Sequence, residues 1–213
     1  SKIKKSYHNA AQIQINTLQS LIKKAQKTKF GIEHQFHKIN SVEEYIDRVP
    51  IRDYEDIKKY IDEIKKGIKD ILWPGKPKYL AKTSGTTSGV KHIPITNESM
   101  PNHILSSRNA LLFYIYETGD TSFLNGKTIF LQGSPVLDEV NGILIGRLSG
   151  IVAHHVPSYL RKNNLPSVKT NSIEDWEEKV NEICKETIHE NMTTIGGIPS
   201  WVQMYFEKLL KKS

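Results

Sequence analysis

A chain of 213 residues, 38% hydrophobic and 25% charged, is long enough to bury a core and has the balance of a water-soluble globular protein. No run approaches the roughly 18 apolar residues of a membrane-spanning helix, and the basic start Ser1–Lys2–Ile3–Lys4–Lys5 leads into no apolar signal region. Cys184 is the single cysteine, which excludes an internal disulfide, so a cytoplasmic protein is expected.

The net charge of +7 raises the question of nucleic acid. The lysines cluster at residues 2–5, 23–29, 58–69 and 208–212, interspersed with acids and without interleaved aromatics for base stacking. They read as solvated helix faces, and no nucleic-acid partner is expected.

In chain order, apolar spacing predicts a helix from Tyr7 to Lys27, broken by Gly31. Ser41 and Glu44 form a capping box for a short helix ending near Val49–Pro50. Asp53 caps the next helix, with Asp56 at its third position and Tyr54, Ile57, Ile61 and Ile64 inside; Gly67 closes it. The rigid turn Trp73–Pro74–Gly75 feeds a strand at 78–82, with a partner strand at 91–95 whose Pro94 demands an edge or a bulge.

A long helix follows from about Asn97 to Glu117, with Ile104, Leu105, Asn109, Leu112 and Tyr116 on one face and Arg108 beside it. A buried strand is predicted at 127–132. The Gly-rich segment 136–151 is ambiguous between helix and loop, and 153–157 reads as a short strand. Ser172 and Asp175 suggest a capping box, followed by a helix with Trp176, Val180, Ile183 and Cys184 inside. A strand at 193–196 and a helix from Pro199 complete the chain. Strands alternating with helices after residue 78 predict an α/β sheet behind a helical amino-terminal region, divided here as residues 1–75 and 76–213 of one domain.

Between the strands at 78–82 and 91–95 stands Thr83–Ser84–Gly85–Thr86–Thr87–Ser88–Gly89, all hydroxyl-bearing or glycine. Such a run makes a nest of donors for an anion, and equally an ordinary polar hairpin; composition alone does not separate the two. It is not a Walker loop, because Gly85 and Gly89 enclose three residues and Lys91 comes one place late. The Gly-x-Gly pair of a dinucleotide fingerprint is missing.

Other chemistry finds little support. His154 and His155 are adjacent and diverge in a strand, and neither His-Glu-x-x-His nor Cys-x-x-Cys occurs, so no metal site is expected. No Gly-x-Ser-x-Gly elbow exists, and Cys184 reads as a small core residue.

The 83–89 run resembles the phosphate loop of adenylate-forming enzymes. With the blocks Val49–Pro50–Ile51–Arg52–Asp53–Tyr54, Leu72–Trp73–Pro74–Gly75, Lys91–His92–Ile93–Pro94–Ile95–Thr96 and Gly196–Gly197–Ile198–Pro199–Ser200–Trp201, the order is similar to the amino-terminal part of the Gretchen Hagen family of acyl-acid amido synthetases. The likeness runs from about Leu21 to Leu210 and suggests a bacterial member.

The resemblance implies an adenylate-forming-enzyme-like mixed α/β sheet and a two-step ligase using ATP and Mg²⁺. A small-molecule acyl acid is adenylated, and an amine or amino acid then displaces AMP. By motif match Ser84, Gly85, Thr86, Thr87 and Ser88 hold the phosphates, with Lys91 adding charge. Arg108, Leu112 and Tyr116 are implied acyl contacts, although an ordinary surface arginine explains Arg108 equally well. Gly197 and Ile198 border the acyl pocket or merely permit close packing. No catalytic residue is assigned.

Members of this family run well over twice this length, and their later nucleotide motifs have no counterpart here. The expected reading is a truncated amino-terminal portion that needs its carboxy-terminal part to complete the reaction. A short homologue that lost the chemistry remains the alternative. Among other functions, an adenylating ligase that forms acyl-coenzyme A ranks second, and a non-catalytic nucleotide- or nucleic-acid-binding module third.

Overall fold

The computed structural model of the chain describes residues 8–83, 89–156 and 161–211. The amino-terminal region is helical: α1 (Ala10–Ala25), α2 (Lys29–Glu33), a 3-10 turn at Phe36–Lys38, α3 (Val42–Arg48) and α4 (Tyr54–Lys65). Ile22 and Ala25 of α1 bury against Phe36 and Ile39, which closes a small core under the first three helices. Gly31 does not end α1 as predicted. It lies buried inside α2, where a Cβ would sit 2.1 Å from the main-chain oxygen of Ala25. The turn is made instead by Thr28, whose hydroxyl donates to Ala25 O and accepts from Gly31 N.

The two predicted amino-terminal caps differ. Asp53 and Asp56 form the full reciprocal box at the start of α4. Ser41 accepts from Glu44 N, but the Glu44 carboxylate takes the main-chain N–H of Asn40, one residue early. Helix α4 then turns Tyr60, Ile61 and Ile64 onto Leu80, Ile143 and Ile145, so one core joins the helical region to a sheet. Gly67, at φ 84°, ends the segment.

The first sheet holds β1 (Tyr79–Lys82), β2 (His92–Ile95), β4 (Asp138–Val140) and β5 (Ile143–Arg147) in the order β2-β1-β5-β4. β1 runs parallel to β5 and antiparallel to β2, which places Pro94 on an edge. The ambiguous segment 136–151 is the β4–β5 hairpin, turned by Asn141 and Gly142 at φ 52° and 74°, and then helix α6 (Leu148–Ala153). Positive φ at both turn residues is the twist-matched geometry that Asn-Gly favours.

The second sheet is β6 (Asn164–Leu165), β3 (Lys127–Leu131) and β7 (Met192–Gly197), all parallel, with β3 central. Ile129 and Leu131 pack on Val180, Ile183 and Cys184 of α8 (Trp176–Thr187) and Tyr205 of α9 (Pro199–Leu210). Trp176 and Trp201 stack at 4.2 Å between those helices. Asp175 alone caps α8, accepting from Glu178 N at 2.8 Å, while Ser172 closes the short helix α7 (Val168–Asn171). The expected strand at 153–157 is replaced, through Val156, by the turn that ends α6.

Helix α5 (Met100–Thr118) starts three residues later than predicted, because Thr96 and Ser99 first exchange hydrogen bonds in a turn. Only Met100 of α5 is buried. Among the described residues no helix is long and apolar enough to cross a membrane.

Candidate functional site

β1 and β2 carry the Ser/Thr/Gly segment between them. Ser84, Gly85, Thr86, Thr87 and Ser88 lie outside the described residues, and the structure defines only the stem that holds them. Thr83 N donates to Lys91 O at 3.0 Å and extends the hairpin by one pair beyond β1 and β2. Gly89 stands at φ 78°, a conformation that costs glycine little.

The stem is anchored from below. His92 N donates to the Tyr54 hydroxyl at 2.9 Å, and Lys91 Nζ lies 5.4 Å from the centre of the Tyr54 ring. The first residue of α4 therefore holds both residues at the exit of the segment. Burial, with Lys65 and Lys82 nearby, holds the His92 imidazole below its ordinary range. Lys82 pairs with Asp138 at 2.7 Å, which ties the end of β1 to the β4 edge.

A cavity of about 1290 Å³ is lined from both sheets and from α5 and α6. Its apolar wall includes Leu137, Leu144, Leu148 and Val152, faced by Phe130. Lys78, His103, His154 and Arg161 line it too, and among the described residues no aspartate or glutamate does. Such a lining suits an anion with an apolar body. The hydroxyl of Tyr79, buried at the start of β1, is hydrogen-bonded to Nε2 of His155 at 3.0 Å. Burial, Lys78 and His154 keep the His155 imidazole below its usual range. His154 donates from Nε2 to Pro135 O at 2.8 Å, so the two adjacent histidines pin different parts of the wall.

Lys179 lies behind the lining, bonded to main-chain oxygens of two lining residues. It is only 3% exposed and donates to Asn171 O at 2.5 Å and Gln132 O at 3.4 Å, joining the end of α7 to the end of β3. Burial, reinforced by Arg147, pushes its ammonium down to about 8.

The motif-derived acyl contacts fall elsewhere. Arg108, Leu112 and Tyr116 are exposed on α5, and the cavity takes His103 and Ser107 from that helix instead. Gly197 ends β7, where a Cβ would come within 2.8 Å of Leu131 Cβ, and Ile198 is the exposed cap residue of α9. Neither lines the cavity. Sequence reasoning missed Phe130, His103 and Arg161. The alternation Thr128–Phe130–Gln132 was the available signal for the first, since a strand with Ile129 and Leu131 buried turns these three to its other face. Among the described residues no group of three His, Cys, Asp or Glu side chains is placed to hold a metal ion.

A hairpin stem on a mixed sheet, whose first strand borders a basic and apolar cavity at its start, is a mixed α/β architecture, and comparisons with known proteins place it in a family. The GH3 family N-terminal domain matches residues 1–167, and the chain belongs to that family. Indole-3-acetic acid-amido synthetase GH3.15 of Arabidopsis thaliana is 34% identical over 117 residues, which is 52% of this chain and 19% of that protein. The solved structure of the GH3.15 acyl acid amido synthetase superposes on 99% of this chain with a TM-score of 0.79 at 21% identity. A second, AtGH3.15 acyl acid amido synthetase in complex with 2,4-DB, gives 0.75 at 20% identity over 96%. At those identities the likeness is one of fold. The chain spans 38% and 36% of the two solved chains.

Proposed function

We propose that the gene-length protein adenylates the carboxylate of a small acyl acid with ATP in the cytoplasm and joins the acyl group to an amine or amino acid. The observation that carries the reading is the acid-free, basic and apolar cavity beside a strand, β1, that runs straight into the Ser/Thr/Gly segment. A carboxylate is drawn to Lys78, His103 and Arg161, while its body is dehydrated against leucine and phenylalanine.

In the first step a carboxylate oxygen attacks the α-phosphate of ATP, and pyrophosphate leaves. In the second the amine nitrogen attacks the acyl carbon, loses a proton, and AMP leaves. Ser84, Gly85, Thr86, Thr87 and Ser88 supply hydroxyl and main-chain donors to the phosphates, and Lys91, steadied over Tyr54, adds a positive charge at the exit of the loop. Mg²⁺, held by the nucleotide's phosphates beside the hydroxyls of this segment, would supply charge neutralisation for the leaving pyrophosphate. Arg108, Leu112 and Tyr116 on α5 and Gly197 and Ile198 at the end of β7 stay candidate acyl contacts outside the cavity lining. Residues 1–75 serve as a helical buttress and 76–213 as the α/β part of one amino-terminal domain. An aromatic acid is the favoured substrate, since the relatives' names carry indole-3-acetic acid and 2,4-DB.

The deciding experiment is carboxylate-dependent exchange of pyrophosphate into ATP by the gene-length protein. Exchange that appears only with an added acid supports the reading. No exchange across indolic, benzoic and aliphatic acids overturns it.

A further inference from the structure

Phe130 is a large apolar side chain left 48% exposed near the end of the central strand β3. Its neighbours Ile129 and Leu131 point into the core with α8 and α9, so the pleat turns Phe130 into the cavity. Directly across the ladder stands Gly196. A Cβ on Gly196 would lie 2.9 Å from Cδ2 and 3.2 Å from Cε2 of Phe130. The ring thus leans over the neighbouring strand and occupies the space where residue 196 would carry a side chain. Any larger residue at 196 must displace the ring from that space.

We propose that Phe130, seated over Gly196, is the movable floor of the acid cavity, and that this pair sets which acyl bodies the cavity admits. Leu137, Leu144, Leu148 and Val152 share the lining with Phe130, and the charged lining among the described residues is basic, so the occupant is a carboxylic acid whose apolar body packs on these side chains and the ring. A ring lying low leaves room for a planar or bulky body; a ring pushed up leaves room only for a short one. The assignment of the occupant rests on the acyl-acid reading above, whereas the steric pairing of Phe130 with Gly196 is independent of it.

The test is a mutant cycle of Gly196→Ala, Phe130→Ala and the double variant, with Phe130→Leu as a milder probe. Binding of benzoate, cyclohexanecarboxylate, octanoate and acetate to the 213-residue chain is read by saturation-transfer NMR. The KM and kcat for the same acids are read on the gene-length protein. In the wild-type background Gly196→Ala is expected to weaken benzoate and cyclohexanecarboxylate about tenfold, in KM rather than kcat, and to spare acetate. In the Phe130→Ala background the same change should shift either acid less than twofold, because the ring it displaces is gone. Phe130→Leu should change the ranking of the acids.

Equal losses from Gly196→Ala in both backgrounds, an unchanged ranking in Phe130→Leu, or no acid bound by the chain at all would each overturn the proposal. Acids that bind with the expected ranking, without pyrophosphate exchange, would support the floor and sink the enzymatic reading instead.

Discussion

Lys179 Nζ lies 2.5 Å from the main-chain oxygen of Asn171, in a position only 3% exposed, and its hydrogen-bond acceptors among the described residues are carbonyls. Burial therefore depresses its pKa from 10.5 to about 8. Between those two values the unfolded chain holds a proton that the folded chain has released, so stability contributed by this group rises as pH increases through that window. Lys179→Met removes the titration. The melting temperature of the wild type relative to the variant should climb between about pH 8 and pH 10, and a difference that stays flat with pH would refute the account. At pH 7 the variant loses two carbonyl partners but also a buried charge, and replacing buried charge by an apolar isostere is often close to neutral.

Gly31 makes a second, purely steric case. With Ala25 O 2.1 Å from where its Cβ would sit, Gly31→Ala must push α2 off the end of α1. Overpacking of this kind costs about 1–3 kcal/mol, which for a chain of this size lowers Tm by roughly 2–10 °C. Gly119→Ala is the control: it has φ 69° but nothing within 4 Å, so it should cost only the left-handed strain of about 1–2 kcal/mol. If Gly31→Ala melts with the wild type, the close approach of the two helices is wrong.

If the Ser/Thr/Gly segment holds the phosphates as proposed, its variants separate donors from charge. Hydrogen bonds to a charged partner are each worth about 1.5–3 kcal/mol, so Thr86→Ala with Ser88→Ala should weaken Mg-ATP roughly a hundredfold or more. On the same reading Lys91, at the exit of the segment over the Tyr54 ring, would act where solvent and salt screen it. Lys91→Met should therefore cost less than about tenfold and lose its effect as salt increases. Calorimetry with the gene-length protein checks both, and a larger loss from Lys91→Met than from the hydroxyl pair would reverse the assignment of roles.

Local signals explain why some of this was legible in the sequence. Asp53 with Asp56, Pro94 on an edge, and Pro199 opening a helix are decided by residues within one turn, and they stand as read. Ser172 failed as a cap because Asp175 competes for the same helix end with a carboxylate. The β4–β5 hairpin was signalled by Asn141–Gly142 but was obscured by the glycines at 146 and 150, which are there for contact: a Cβ at either would strike Leu137 or Ser134. The helical face predicted for α5 failed because periodicity reports an amphipathic stripe and not whether anything covers it; Leu112 and Tyr116 stay exposed. The cavity was illegible for a different reason. Lys78, His103, Phe130 and Arg161 come from four separate segments, and only the packing of two sheets brings them together.

Thr187 and Tyr205 provide an asymmetry that can be measured. Thr187 Oγ1 donates to Ile183 O at 2.8 Å and accepts from the Tyr205 hydroxyl at 2.9 Å, all within the core shared by α8 and α9. Burial raises the Tyr205 phenol above its ordinary range, so it remains a donor across the neutral range. Tyr205→Phe removes one bond and leaves Thr187 still paired with Ile183, a loss of about 0.5–1.5 kcal/mol. Thr187→Val instead strands a buried hydroxyl on Tyr205, and an unsatisfied buried donor costs about 1–3 kcal/mol. Urea unfolding should therefore rank Thr187→Val below Tyr205→Phe, and the double variant should fall well short of the sum, because once the phenol is gone valine strands nothing. Additive losses would mean that the hydroxyl of Tyr205 finds another partner and that the bond to Thr187 is incidental.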